Sequence, residues 1–298
     1  MFETIVCVDA SYIIYHILFS SVKNWREESS SADVLDTVEA NPEMEKVDLT
    51  VYPDFMETVR GKVYGTMQTV RDIVDRFNST YGNSVRGSII FAMDPPRDAK
   101  LRSWRYMIYP DYKGGRAKSR EERPFDVMKV FDGIWAYLVE NERLQKTFNS
   151  VFVYADGCEA DDIVATVMAD DSSSGCKRLL IANDRDYLQL EDVTQMNLEG
   201  EAVEIEQPYP DLIAMTPKKY LLAKIISGDA SDNIPHVFPK VAYKTAVKKY
   251  VSNPKLLMES LASNAVANAR FEENKRLIDF NRMPESIRRR AREALGLS

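Results

Sequence analysis

Four short β-rich runs in this chain each close on an acid, and helical patterns fill the spaces between them. TIVCVD ends at Asp9, GSIIFAMD at Asp94, VFVYAD at Asp156 and RLLIAND at Asp184. From Ala160, the apolar residues Ala160, Ile163, Val164, Val167 and Met168 recur at the spacing of one helix face. Residues 54–81 and 125–144 carry similar patterns. Strands that alternate with helices build a mostly parallel sheet wrapped on both faces, an α/β fold. In such sheets ligands bind outside the carboxyl ends of the strands, where Asp9, Asp94 and Asp184 emerge.

From Pro217 onward the strand pattern stops and helices take over, ending in PESIRRRAREALG. We therefore expect an α/β domain over residues 1–216 and a helical region over 217–298. The net charge of −7 hides a division along the chain. Residues 27–57 carry ten acids against one base, Lys46, and read as an acidic insertion (about 22–57) or loose surface loop. Residues 97–123 carry nine bases against four acids, and 217–250 carry seven lysines against two aspartates. An acidic chain with two basic islands presents an addressed surface, not a generic nucleic-acid coat.

Other classes recede on composition. No secretory leader is read, and the apolar run from Tyr12 to Phe19 is broken by His16, well short of the ~20 residues a membrane span requires. Cys7, Cys158 and Cys176 form no C-x-x-C and fit unpaired thiols in a reducing cytoplasm. His16 and His236 are the only histidines, too few for a histidine-rich zinc site, and neither lies in a recognisable Ser-His-Asp setting.

The stretch GCEADD sets Glu159, Asp161 and Asp162 within four residues at a helix start. Like charges this close push one another's pKa values upward unless a cation sits among them. Alone, such acids would simply favour the helix dipole, and a strand-terminal Asp would begin a turn. Convergence changes the reading: Asp9, Asp94, the GCEADD acids, Asp184 and Asp186 of ANDRDYLQL, and Asp229 and Asp232 of GDASDNIP fall in separate segments, most of them bound for one sheet edge. Carboxylates without histidine or thiolate partners suit Mg²⁺ or Mn²⁺, and a pair of such ions serves phosphodiester hydrolysis.

VDASYIIYH, FAMDPP, YKGGRAKSREE, GCEADD, ANDRDYLQL and GDASDNIP occur in the order found in the flap endonuclease or 5′-nuclease family. The chain resembles that family from residue 5 to about 284, and most closely its T-even-like phage ribonuclease H branch. The resemblance implies a PIN-like nuclease fold and a 5′ to 3′ exonuclease and flap endonuclease. It would act on branched or 5′-ended DNA and RNA–DNA hybrids, removing primers in phage replication. It also implies two Mg²⁺ ions, with Mn²⁺ able to substitute. Asp9, Asp94, Glu159 and Asp161 match the acids of the first metal; Asp162, Asp184, Asp186, Asp229 and Asp232 match those at or behind the second.

The same resemblance makes residues 97–124 a helical arch over the site, in which Lys113 and Arg116 meet the scissile phosphate. Arg105, Tyr112 and Lys118 are expected nucleic-acid contacts there, among bases interleaved with aromatic rings. Downstream, a helix–hairpin–helix-like element should grip duplex phosphates through Lys240, Lys244 and Lys248, although NIPHVFPKVAYKTAVKKY lacks the usual hairpin glycines. That departure puts the hairpin geometry and a monovalent-ion site in question. A single-strand-binding protein or sliding clamp is the expected protein partner, and a stand-alone, cytoplasmic, monomeric enzyme the expected form. Two rivals stand beside this reading: a silent branched-DNA-binding protein of the same fold, and a metal-dependent phosphatase for small phosphoesters.

Overall fold

The computed structural model describes residues 2–41, 43–96, 99, 102–115, 121–170 and 175–297. Its centre is a sheet of six parallel strands: β1 (Phe2–Asp9), β2 (Asn83–Val85), β3 (Ile89–Ala92), β4 (Ser150–Val153), β5 (Lys177–Ile181) and β6 (Val193–Met196). The order across the sheet is β4-β3-β1-β5-β6, with β2 paired to the start of β1. Period-two alternation sorts the strand residues into two cores. Val6, Val8, Phe91, Leu179 and Ile181 join the core on one face, whereas Ile5, Cys7, Ala92 and Leu180 join the core on the other. Because both faces are covered, the strands read as nearly continuous apolar runs.

The first face is covered by the helices Ala10–Glu28, Pro53–Tyr81 and Val127–Glu140. The second is covered by Ala160–Met168, against which the last helix, Glu285–Ala294, packs through Ile287 and Ala291. The chain beyond Pro217 is helical, as expected, with segments Pro217–Ser227, Pro254–Ala262 and Ala265–Ile278, but its end returns to the sheet. Among the described residues no helix is long and apolar enough to cross a membrane.

Two expectations need correction. The helix over 125–144 is two helices, Val127–Glu140 and Glu142–Phe148, because Asn141 breaks the first and caps the second by accepting a hydrogen bond from Leu144 N at 3.0 Å. The acidic segment is not a loose loop. Leu35, Val38, Val47, Leu49 and Phe55 are buried in the first-face core, Val47 bridges to Phe125, and Asp54 accepts from the indole of Trp25 at 2.7 Å. Its acids line the outside of a folded element whose apolar residues were masked by the charge count.

Candidate active site

Register brings the strand-end acids together. Asp9 lies level with Ala92 of β3, and Val8 with Ile181 of β5, so Asp9, Asp94 and Asp184 leave the sheet at the same edge. Asp9 caps the first helix by accepting from Tyr12 N at 3.1 Å, and its other oxygen accepts from the hydroxyl of Tyr187 at 3.0 Å. Asp94 ties two elements to the edge, accepting from Ala160 N at 2.9 Å and from Ser11 Oγ at 2.9 Å. Asp184 begins the next turn, accepting from Asp186 N at 2.8 Å.

The cations demanded by GCEADD include the protein's own. Arg105 is 2% exposed, and its guanidinium reaches Glu159 at 2.7 Å, Asp161 at 3.1 Å and Asp162 at 3.2 Å while its Nε donates to Leu277 O at 3.0 Å. Lys113 Nζ donates to the second oxygen of Glu159, and Tyr112 donates from its hydroxyl to Glu159 at 3.1 Å and Asp232 at 3.0 Å. Across the edge, Lys224 pairs with Asp186 at 2.7 Å and also with Asp229.

This placement revises several expectations. Arg105 and Tyr112, expected as nucleic-acid contacts, are buried at 2% and offer no face to a phosphate or a base. They hold the acids from beneath. Asp162, expected as a metal ligand, is fully buried, with one oxygen accepting from Glu159 N at 2.9 Å and from Trp104 Nε1 at 3.1 Å. It closes a capping box with Glu159 and has no oxygen turned to the edge. Lys240, Lys244 and Lys248 are exposed, with Lys244 paired to Glu206 at 2.9 Å and Lys248 over the ring of Tyr209 at 5.9 Å. Arg116 and Lys118 lie outside the described residues. The pattern missed Tyr187, Ser11 and Lys224, and took Trp104 for one of the base-accepting rings of the arch; Lys224 had a signal, as it stands five residues before Asp229 in KIISGD.

Electrostatics tests whether further positive charge fits. Burial pushes the carboxyl of Asp9 up to about 6, helped by the charge of Asp94, and pushes Asp186 up to about 6 despite Lys224. Burial also raises Asp184, and raises Asp161 well above the usual range against the pull of Arg105. Glu159 goes the other way: burial raises it, but Lys113 and Arg105 prevail and bring it down to about 2. Among the described residues, no three His, Cys, Asp or Glu side chains stand grouped so as to hold an ion between them. The all-oxygen donor set nevertheless fits a hard divalent cation, because among the described residues Asp9, Asp94 and Asp184 accept only from neutral donors while Arg105, Lys113 and Lys224 pair with Glu159, Asp161, Asp162, Asp186 and Asp229.

Comparison with known proteins agrees with this architecture. The structure aligns with the T5 5′-exonuclease bound to zinc ions at a TM-score of 0.59 and 15% identity, covering 99% of both chains. It aligns with the bacteriophage T5 flap endonuclease in a pseudo-enzyme–product complex with DNA and metal ions at 0.58 and 15%, covering 98% of both. A 5′-3′ exonuclease of Buchnera aphidicola subsp. Schizaphis graminum is 27% identical over 193 residues, 64% of this chain and 60% of that one. DNA polymerase I of Streptococcus pneumoniae strain R6 is 34% identical over 164 residues, 51% of this chain and 16% of the polymerase. The matches thus span less than two thirds of these relatives' own length. The model of the 5′-3′ exonuclease N-terminal, resolvase-like domain matches residues 4–211, and the chain belongs to that family.

Proposed function

We propose that the chain is a divalent-metal-dependent 5′ to 3′ exonuclease and 5′-flap endonuclease, hydrolysing phosphodiesters in DNA and in RNA–DNA hybrids. The observation that carries this is the gathering at one sheet edge of carboxylates from separate segments, among which Asp9, Asp94 and Asp184 meet neutral donors while Arg105, Lys113 and Lys224 pair with the others. Asp9, Asp94, Glu159, Asp161, Asp184, Asp186, Asp229 and Asp232 would hold the ions, Mg²⁺ or Mn²⁺. When bound, two such ions would supply Lewis-acid stabilisation to the phosphodiester's oxygens. The protein's own residues orient the site: Arg105 fixes Glu159 and Asp161, Tyr187 fixes Asp9, and Lys224 fixes Asp186 and Asp229. Lys113, set against Glu159 at the site, would place positive charge near the scissile phosphate together with Arg116.

We place the chain in the T-even-like phage ribonuclease H branch, as a monomeric cytoplasmic enzyme that removes RNA primers. Residues 1–216 would carry the chemistry and 217–298 the duplex contacts, with a single-strand-binding protein or sliding clamp as partner. A second reading draws on the buried cations. Arg105 and Lys224 already engage many of the acids, as they would in a silent branched-DNA-binding protein of the same fold.

The test uses a 5′-labelled DNA flap and an RNA-primed duplex, with Mg²⁺ or EDTA, for wild type and Asp161→Asn. Metal-dependent cutting near the junction or 5′ end, abolished in Asp161→Asn, is expected, and fragment lengths separate flap from exonuclease cutting. Tight binding without cutting under any metal would establish the silent binder instead.

A further inference from the structure

The acids of the site come from the ends of β1, β3 and β5; the run through β4 also closes on an acid, Asp156, but its first residue past the strand is the aromatic Tyr154. Met93 N donates to Val153 O at 2.9 Å, and the register of β3 with β4 sets Tyr154 level with Met93, one residue before Asp94, at the sheet margin. Tyr154 is 38% exposed. Against it lies Trp135 of the helix Val127–Glu140, with ring centroids 5.3 Å apart and planes inclined by 59°. The Trp135 indole donates to Asp94 O at 3.2 Å, which anchors the ring to the acidic edge while leaving it only partly buried. The other two tryptophans differ: Trp25 and Trp104 are 1% and 6% exposed, and each donates to a carboxylate, of Asp54 or Asp162.

The edge therefore has an order. On the β5 side, Lys224 joins Asp186 to Asp229 at the start of the loop leading to Lys240 and Lys244. The acids stand in the middle, and the aromatic pair closes the β4 side. A nucleic-acid strand held by those lysines at one side, with a phosphate at the acids, would continue over Trp135 and Tyr154.

We propose that Trp135 and Tyr154 form a stacking platform for one unpaired nucleobase next to the phosphate at the acids, and so set the register of the cut. The proposal rests on the nuclease reading above and deepens it. A ring face takes any base, so the platform reads position, not sequence, and one stacked base is worth about tenfold in affinity. The pair is also coupled to the chemistry, because Trp135 grips the backbone of Asp94.

Trp135 is the one tryptophan not buried among three, so its emission reports the platform directly. In EDTA, titration with a short unpaired oligothymidylate should quench wild-type tryptophan emission. The quench should vanish in Trp135→Phe, and the midpoint should rise about tenfold in Tyr154→Ala. With Mg²⁺, an abasic site moved along the flap should raise KM about tenfold at one position beside the cut in wild type. At that position Tyr154→Ala should gain no further penalty. An undiminished quench in Trp135→Phe, or equal abasic penalties at every position in wild type and Tyr154→Ala, overturns the platform. Failure of the nuclease reading is separate, since it is no cutting by wild type with any metal, and the emission arm needs no cutting.

Discussion

At the scale of single residues, Arg105 decides whether the acidic edge exists. Its planar fork serves three carboxylates and one carbonyl at once, from a position almost wholly out of water. Removing one partner of a buried ion-pair network leaves uncompensated charge, so Arg105→Ala should destabilise the protein by about 3–5 kcal/mol in urea unfolding. Arg105→Lys should recover little, because a single ammonium cannot make the fork. Asp9 shows the opposite imbalance. Its carboxyl, raised from 3.8 to about 6, binds its proton more tightly in the folded state than in the unfolded one. That contribution is complete below pH 4 and is lost as pH rises through about 6. Asp9→Asn is uncharged throughout, so in EDTA it should be more stable than wild type by about 3 kcal/mol at pH 8, with little gain at pH 4. Urea titrations at both pH values check this, and cleavage should be lost in the same variant.

At the scale of elements, the loop from Gly228 to Pro235 sets where Asp229 and Asp232 stand. Gly228 has φ +64°, and a Cβ there would lie 2.4 Å from Ile234 O and 2.5 Å from Pro235 O. The Asp229–Ile234 bridge, with N–H donors at 2.9 and 2.7 Å from the facing carbonyls, cannot yield to it. Gly228→Ala should cost about 3 kcal/mol and abolish cleavage even at temperatures where the fold persists, as read by circular dichroism beside the flap assay. The turn at Lys240 is more forgiving. Lys240 sits at φ +61° after Pro239, with Val241 N donating to Phe238 O at 3.2 Å. In Lys240→Gly, relief of the left-handed backbone and the added flexibility of the unfolded chain nearly cancel, within about 0.5 kcal/mol. DNA affinity should nevertheless fall and its salt slope shrink by about one ion. The strand ends were legible because a parallel sheet dictates where they point. The hosts of Arg105 and Tyr112 were not, since a basic, aromatic run reads as surface until Leu277, Ile225 and Ile234 are found packed against Tyr112 or bonded to Arg105.

At the scale of the whole molecule, two cores share one sheet, and the end of the chain closes the second of them. The sequence PESIRRRAREALG looks solvated, because its helix buries only Ile287 and Ala291, one turn apart, and leaves four arginines around them. The strands and the helix at Ala160 could be read from periodicity, but nothing local marks this distant helix as the lid of Ile163 and Val167. Its grip is recorded by a thiol. Cys158 is 1% exposed and donates through sulfur to Ile287 O at 3.7 Å, Cys7 is fully buried between strands, and Cys176 alone is partly accessible. Burial also pushes both buried thiols upward in pKa, so they stay protonated and unreactive at neutral pH. The native protein should therefore release one equivalent of thionitrobenzoate with Ellman's reagent at pH 8, and three in guanidinium. Ile287→Ala removes about 1.5–3 kcal/mol of burial and loosens the lid without touching the acids. It should bring Cys158 into reaction at concentrations of urea where wild type still shows one thiol, while Cys7, held in β1, reacts only with global unfolding. If Cys7 and Cys158 became reactive together at every urea concentration, the last helix would not open by itself, and the two cores would unfold as one.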